Sequence, residues 1–195
     1  MSRHLGITPI YWTEVEPERL ARDLADVAAV APDMHFQAPG VFGGTELHGM
    51  WVGQLPVWPL ARPEPDGLDA LVPTGLECMA LYSASHPMIP PQVRPISPEP
   101  LLLERSQHKW HVAPAGALCL MQSTGDWDPG DSVADLLVKA AAWRVEYALM
   151  KASLIEAMSL SGIVSDPSFD HLIAKAVETL ARSHAFAAEI EEESV

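Results

Sequence analysis

Basic residues are scarce in this chain. Lys and Arg together number 12 against 26 Asp and Glu, a formal net charge of −14. Nucleic-acid phosphates are met by clusters of Lys and Arg. No such cluster is present, so nucleic acid is not expected as a partner, whereas a basic protein partner suits this charge. Cysteine is almost missing too, with only Cys78 and Cys119. Two cysteines make no disulfide framework, and no CxxC spacing suggests a metal. No run of about 18 apolar residues occurs, so no membrane span is expected. The N-terminal stretch lacks the apolar centre of a secretory signal. The simplest expectation is a soluble, cytoplasmic protein with free thiols. Phe42-Gly43-Gly44-Thr45 is too short to cradle a phosphate, HExxH is absent, and no carboxylate pair stands out as acid and base. No cofactor or metal is therefore expected.

What is present suits a globular α+β chain. The 195 residues are 48% apolar, enough for one core with a terminal extension. Pro17 and the stripe Leu20, Leu24, Val27, Ala31 predict a helix over 17–31, stopped by Pro32 and Asp33. Residues 37–45 read as a turn-rich connection and 46–60 as extended. Residues 75–84 read as a central strand, with Leu76, Cys78, Ala80 and Tyr82 on one face and Glu77, Met79 and Leu81 on the other. Prolines 87, 90, 91, 95, 98 and 100 exclude helix and central strand from 86–100. Met88, Ile89, Val93 and Ile96 in that stretch are expected to pack on the domain, and Leu101–Leu103 to add a short strand. A helix is expected over 131–150, capped by Ser132 in a capping-box-like pattern with Asp135, its apolar face made by Val133, Leu136, Leu137, Ala140 and Ala141. A last helix is expected over 168–188. Strands grouped between helices argue for α+β and not for an alternating parallel sheet. The expected organisation is a domain over 1–150, a helical extension packed on it over 151–188, and an acidic tail over 189–195.

Three segments carry the chemistry. His86-Pro87-Met88-Ile89-Pro90-Pro91 comes first. Gly116-Ala117-Leu118-Cys119-Leu120 follows, and eight residues after its cysteine comes Trp127-Asp128-Pro129. In order and internal spacing these resemble the ubiquitin-conjugating enzymes, whose Tyr-Pro-x-x-Pro-Pro turn, cysteine segment and later Trp are set out alike. The likeness is nearest to the divergent bacterial relatives, which work in small ubiquitin-like and antiphage operons. It covers about residues 75–140 and leaves the last 45 residues unassigned. Eukaryotic members place Asn eight residues before the cysteine; here His111 stands there, as in bacterial relatives. The stretch between Pro91 and Cys119 is longer than in compact members, so an enlarged loop or hairpin is expected between 97 and 108.

The resemblance implies a UBC-like fold: an N-terminal helix, a central antiparallel sheet, an active-site cysteine loop and C-terminal helices. It implies Cys119 as acceptor of a ubiquitin-like protein thioester and His111 as an oxyanion donor or as a base on an incoming amine. His108 is the competing imidazole. Trp127 is expected to fix the loop by packing, and Asp126 and Asp128 to cap turns or orient an amine. The implied partners are an activating-enzyme-like protein, a ubiquitin-like modifier or a nucleotidyltransferase C-terminus, and a protein target. Two alternatives stay open: a non-catalytic UBC-fold binding module for a ubiquitin-like protein or scaffold, and an unrelated thiol hydrolase using Cys119 with His111 or His108. Cys78, inside an apolar strand, is expected to be a core residue.

Overall fold

The computed structural model describes residues 10–159, 162–165 and 167–177. A helical turn α1 (Trp12–Val15) leads into α2 (Pro17–Val30), with Pro17 at its first turn as expected. Six strands follow: β1 (Met34–Gln37), β2 (Gly40–Phe42), β3 (Thr45–Leu47), β4 (Met50–Gln54), then a helical turn α3 (Leu68–Leu71), β5 (Glu77–Leu81) and β6 (Gln92–Ser97). A helical turn α4 (Leu102–Arg105) precedes the long helix α5 (Val133–Lys151). Then comes the turn α6 (Gly162–Ser165), and residues 170–177 are helical.

The main sheet has four antiparallel strands in the order β1-β4-β5-β6. It is thus an antiparallel meander, interrupted by the β2–β3 hairpin and by the long connection carrying α3, so the α+β expectation holds. The hairpin lies in residues expected to be a mere connection. Gly43 and Gly44, both at positive φ (58° and 84°), make its two-residue turn. Two successive positive φ angles match the twist of flanking strands, which is why Gly-Gly can turn here.

β5 is central, as its sequence predicts: Cys78 and Ala80 are fully buried, while Met79 and Leu81 on the other face are half-covered. Burial also pushes the Cys78 thiol up to about 12, so it is inert near neutral pH.

Three local expectations are corrected. The extended stretch ends at Gln54, because Leu55 turns inward and is buried, and Val57 and Trp58 pack on a second apolar cluster instead of continuing a strand. Leu101–Leu103 add no strand: Glu104 accepts a hydrogen bond from the Leu101 N–H at 2.8 Å and closes a helical turn. This turn, and no hairpin, occupies the stretch where an enlargement was expected. Of the apolar residues expected to pack in the proline-rich stretch, Val93 is buried, whereas Met88, Ile89 and Ile96 are exposed. That stretch does supply an edge strand, β6, where Pro95 is tolerated because an edge leaves one side without a ladder partner.

Helix α5 is buried nearly all round, which places it inside the molecule. Ser132 caps it, accepting the Ala134 N–H at 3.3 Å. One side (Leu136, Leu137, Ala140, Trp143) joins the sheet and α2. The other side (Ala142, Val145, Leu149) joins Leu68 and Val72 with Ile163, Ile173 and Ala176 of the C-terminal segment. The helix expected over 168–188 follows a 3-10 turn at Pro167–Phe169 and is helical over 170–177; its remainder and the acidic tail at 189–195 lie outside the described residues.

Arg62 fastens this C-terminal segment. Its guanidinium donates to both Asp170 carboxylate oxygens at 2.9 and 3.0 Å, to the Val164 carbonyl at 3.0 Å and to the Ile163 carbonyl at 2.6 Å, and it stacks on Trp58 with 5.0 Å to the ring centroid. An Arg62→Ala variant leaves those acceptors without their donor. Chemical denaturation is expected to show a loss of about 2 kcal/mol. A loss under a few tenths would mean that water replaces the guanidinium freely.

Candidate active site around Cys119

The cysteine sits on a tight hairpin. Val112 and Leu118 form an antiparallel bridge, the Ala113 N–H donates to the Ala117 carbonyl at 2.8 Å, and the Gly116 N–H donates to the Ala113 carbonyl at 2.8 Å. Gly116 has φ +89°, a conformation that glycine adopts without a Cβ clash. The Cys119 N–H then donates to the His111 carbonyl at 2.8 Å. His111 and Cys119 are therefore backbone neighbours across the open end of the hairpin, eight positions apart in sequence, and both line the same cavity. The Leu118 N–H bonds the Val93 carbonyl at 2.8 Å, which ties the hairpin to the sheet edge. His111 has φ 48° and ψ 42°, in the left-handed region, where His, Asn, Asp and Gly are favoured over other residues.

After the cysteine the chain is held by two short turns. The Asp126 carboxylate accepts the Ser123 N–H at 2.8 Å, and Asp128 accepts the Gly130 N–H at 2.7 Å while its own N–H donates to Asp131 at 2.8 Å. Asp128 thus caps a turn. Between them Trp127 is buried, and its indole N–H donates to the Pro87 carbonyl at 2.8 Å. That bond joins two of the segments singled out from the sequence, 40 residues apart. Helix α2 holds the same loop: Arg22 donates to the carbonyls of Gly130 and Asp131 at 2.6 and 2.9 Å.

Cys119 opens into a cavity of about 520 Å³ shared with His111, Leu120, Met121, Asp126, Lys139, Trp143, Glu146, Met158 and Ser159, among others. Lys139, Trp143 and Glu146 come from one face of α5, at the i, i+4, i+7 spacing that aligns side chains along a helix. The floor is folded back by Glu146, a buried carboxylate. It accepts the Ser159 N–H at 2.8 Å, the Ser159 hydroxyl at 3.0 Å and the Ile163 N–H at 2.7 Å. The Met158 N–H adds a bond to the Lys109 carbonyl at 3.1 Å, and the Trp143 indole donates to the Trp110 carbonyl at 2.9 Å.

The electrostatics are uneven. Cys119 is an exposed residue, but atoms crowd its thiol on one side, and that desolvation raises its pKa. It is thus a thiol with a small thiolate fraction at neutral pH and not a standing nucleophile of the paired Cys–His type. The Ser123 N–H, its hydroxyl and, more weakly, the charge of Lys139 hold Asp126 below the usual carboxylate range. The arrangement can exchange a thiol with an incoming thioester and hold the resulting acyl group beside an imidazole. Neither step requires a lowered thiol pKa, because the two acyl–sulfur bonds are close in energy.

The structure brings Cys119 and His111 to one cavity and buries Trp127 as a packing residue that ties the loop after the cysteine to the His86–Pro87 segment. It does not bring in His108, which stands exposed on the 3-10 turn His108–Trp110 and does not line the cavity. Lys139, Glu146 and Ser159 were not singled out from the sequence. The spacing of the first with Trp143 and Glu146 was visible, but nothing local shows which helix face meets the cysteine. Among the described residues no group of three His, Cys, Asp or Glu side chains is placed to hold a metal, and no helix is long and apolar enough to cross a membrane. Comparison with known protein families, with curated proteins and with solved structures finds no match for this chain.

Proposed function

We propose that this protein is a prokaryotic ubiquitin-conjugating-like enzyme with a UBC-like fold. Cys119 takes the C-terminus of a ubiquitin-like protein, or of a nucleotidyltransferase, as a thioester from an activating-enzyme-like protein and passes it to a target, in the setting of an antiphage defence operon. The observation that carries the reading is the hairpin whose open end brings an exposed cysteine and a histidine to the lining of one cavity. The antiparallel meander preceding that hairpin and the helix following it support the same reading, as does the Trp127–Pro87 bond between two of the resembling segments.

In the first step the thiolate of Cys119 attacks the incoming thioester carbonyl, the new C–S bond forms and the donor thiol leaves. In the second an amine attacks the same carbonyl and the Cys119 thiolate leaves. In this reading the side chain of His111 donates to the developing oxyanion or takes the amine proton. The test is non-reducing mass analysis after incubation with ATP, a bacterial activating-enzyme-like protein and a ubiquitin-like modifier that this enzyme is shown to activate. Wild type is expected to gain a reducible adduct of modifier mass, and Cys119→Ala to gain none. Absence of the adduct with partners that are themselves active would leave a binding module in place of an enzyme.

A further inference from the structure

Lysine is rare here, and its four positions are unequal. The residues are Lys109, Lys139, Lys151 and Lys175. Lys151 is engaged on Glu104 at 2.8 Å and lies over the rings of Trp110 and Tyr147 at 5.9 and 5.7 Å. Lys109 lies over Trp110 at 5.8 Å, on the turn outside the cavity. Lys139 alone among them lines the cavity into which Cys119 opens. It is half-buried, it stands one turn before Trp143 on the inner face of α5, and its charge reaches Asp126, another residue of the same wall.

We propose that Lys139 is a modification site: it accepts an acyl group from Cys119 of the same molecule, as an amide. This deepens the function proposed above and rests on Cys119 being an acyl carrier. The neutral amine of Lys139 attacks the carbonyl carbon of the Cys119 thioester. A C–N bond forms and the C–S bond breaks. Cys119 leaves as thiolate and is reprotonated, and the proton lost by the amine passes to the imidazole of His111 or to solvent. No oxidant, metal or second substrate is required. Two groups that line one cavity of one molecule react as an intramolecular pair, whose effective molarity far exceeds that of any free amine. The carboxylate of Asp126 lies on the same wall and senses the Lys139 charge, and the apolar side chains of Leu120, Met121 and Trp143 line the remainder of the cavity, where they disfavour water and so hydrolysis of the thioester. The product fills the cavity beside the thiol, so a molecule acylated on Lys139 is expected to accept further acyl groups more slowly.

A small probe tests this without any partner protein. Full-length protein is incubated with the 2-mercaptoethanesulfonate thioester of acetyl-Gly-Gly, which mimics a ubiquitin-like tail and exchanges onto an exposed thiol directly. Samples are taken with and without a later excess of thiol, which strips thioesters and leaves amides, and the acyl groups are mapped by peptide mass analysis. Wild type is expected to show a thiol-labile acyl group on Cys119 that converts into a thiol-stable one on Lys139, at least about tenfold above Lys109, Lys151 or Lys175. Lys139→Arg is expected to keep the labile acyl group and lose the stable one, and Cys119→Ala to show neither. Three results would each overturn the proposal: a labile acyl group on Cys119 that never reaches Lys139, stable acylation spread evenly over the lysines, or undiminished acylation of Lys139 in Cys119→Ala. Because the probe loads Cys119 chemically, failure here is separate from failure of the activating-enzyme experiment.

Discussion

A His111→Ala variant is expected to pass a thioester-held acyl group to an amine about a hundredfold more slowly than wild type, with loading of Cys119 within a few-fold of normal. The asymmetry follows from the chemistry. Thioester exchange has a good leaving group and needs little oxyanion help, whereas aminolysis must stabilise a tetrahedral oxyanion and dispose of an amine proton. His111 is the imidazole in the Cys119 cavity, held there by the bond from the Cys119 N–H to its own carbonyl.

Position 111 also carries a backbone demand, since φ is 48° there. Alanine strains that conformation by about 1–2 kcal/mol, glycine adopts it freely and asparagine tolerates it. Three variants therefore separate backbone from side chain. His111→Gly keeps the hairpin and lacks the imidazole, and is expected to be as slow as alanine. His111→Asn keeps both the hairpin and an N–H donor, and is expected to stay within about fivefold of wild type if donation to the oxyanion is what matters. The measurement is single-turnover discharge of preloaded protein to free lysine. Wild-type rates in the glycine variant would remove His111 from the mechanism. An asparagine variant as slow as glycine would assign the imidazole to proton transfer instead.

The second large effect is an acid limb in stability. His86 is buried, with its ring centroid 4.7 Å from that of Trp12, 4.6 Å from Tyr82 and 6.5 Å from Trp127. Neither ring nitrogen makes a well-formed hydrogen bond. Desolvation is the main reason its pKa falls to about 4, with Arg19 and Arg22 adding like-charge repulsion; the Ile89 backbone and Glu16 offset only part of this. A histidine whose folded pKa lies below its unfolded value contributes stability that is complete above about pH 6.5. That contribution is lost as pH falls through about 4, because the unfolded chain binds the proton first. The window between these values corresponds to about 3 kcal/mol. Urea denaturation at pH 7, 5.5 and 4 is expected to show this decline in wild type, and His86→Phe is expected to be flatter across the same range by about that amount. Equal slopes for the two proteins would mean that His86 charges without penalty.

His86 also shows where local sequence stops informing. Beside Pro87 it reads as a turn residue, yet it is walled by the nearby ring of Tyr82 and by two rings from distant parts of the chain, Trp12 and Trp127. The polar relay next to it was equally hidden. Trp51 donates to the Tyr82 hydroxyl at 3.1 Å, and Tyr82 donates at 3.1 Å to Asp23, a buried carboxylate on a helix whose apolar stripe alone was expected to face inward.

What the sequence determined by itself is what depends on neighbours in the chain. Periodicity marked α2 and α5, and the two apolar faces of residues 76–82 marked β5 as central. The spacing of Gly116, Cys119 and Trp127 marked the segment that forms the hairpin and its anchor. These are set by backbone propensity and by burial patterns that repeat every two or 3.6 residues. The tertiary structure decided what depends on which faces meet. The direction of α5 decided that Lys139, Trp143 and Glu146 look into the Cys119 cavity. The three bonds to Glu146 decided that Ser159 and Ile163 return against α5 beside that cavity, while Met88 and Ile89, in the turn before β6, and Ile96, on the edge strand itself, stay exposed despite their apolar character. Such contacts join residues far apart in sequence. Their energies come from packing and desolvation at surfaces that exist only once the sheet and helices have come together.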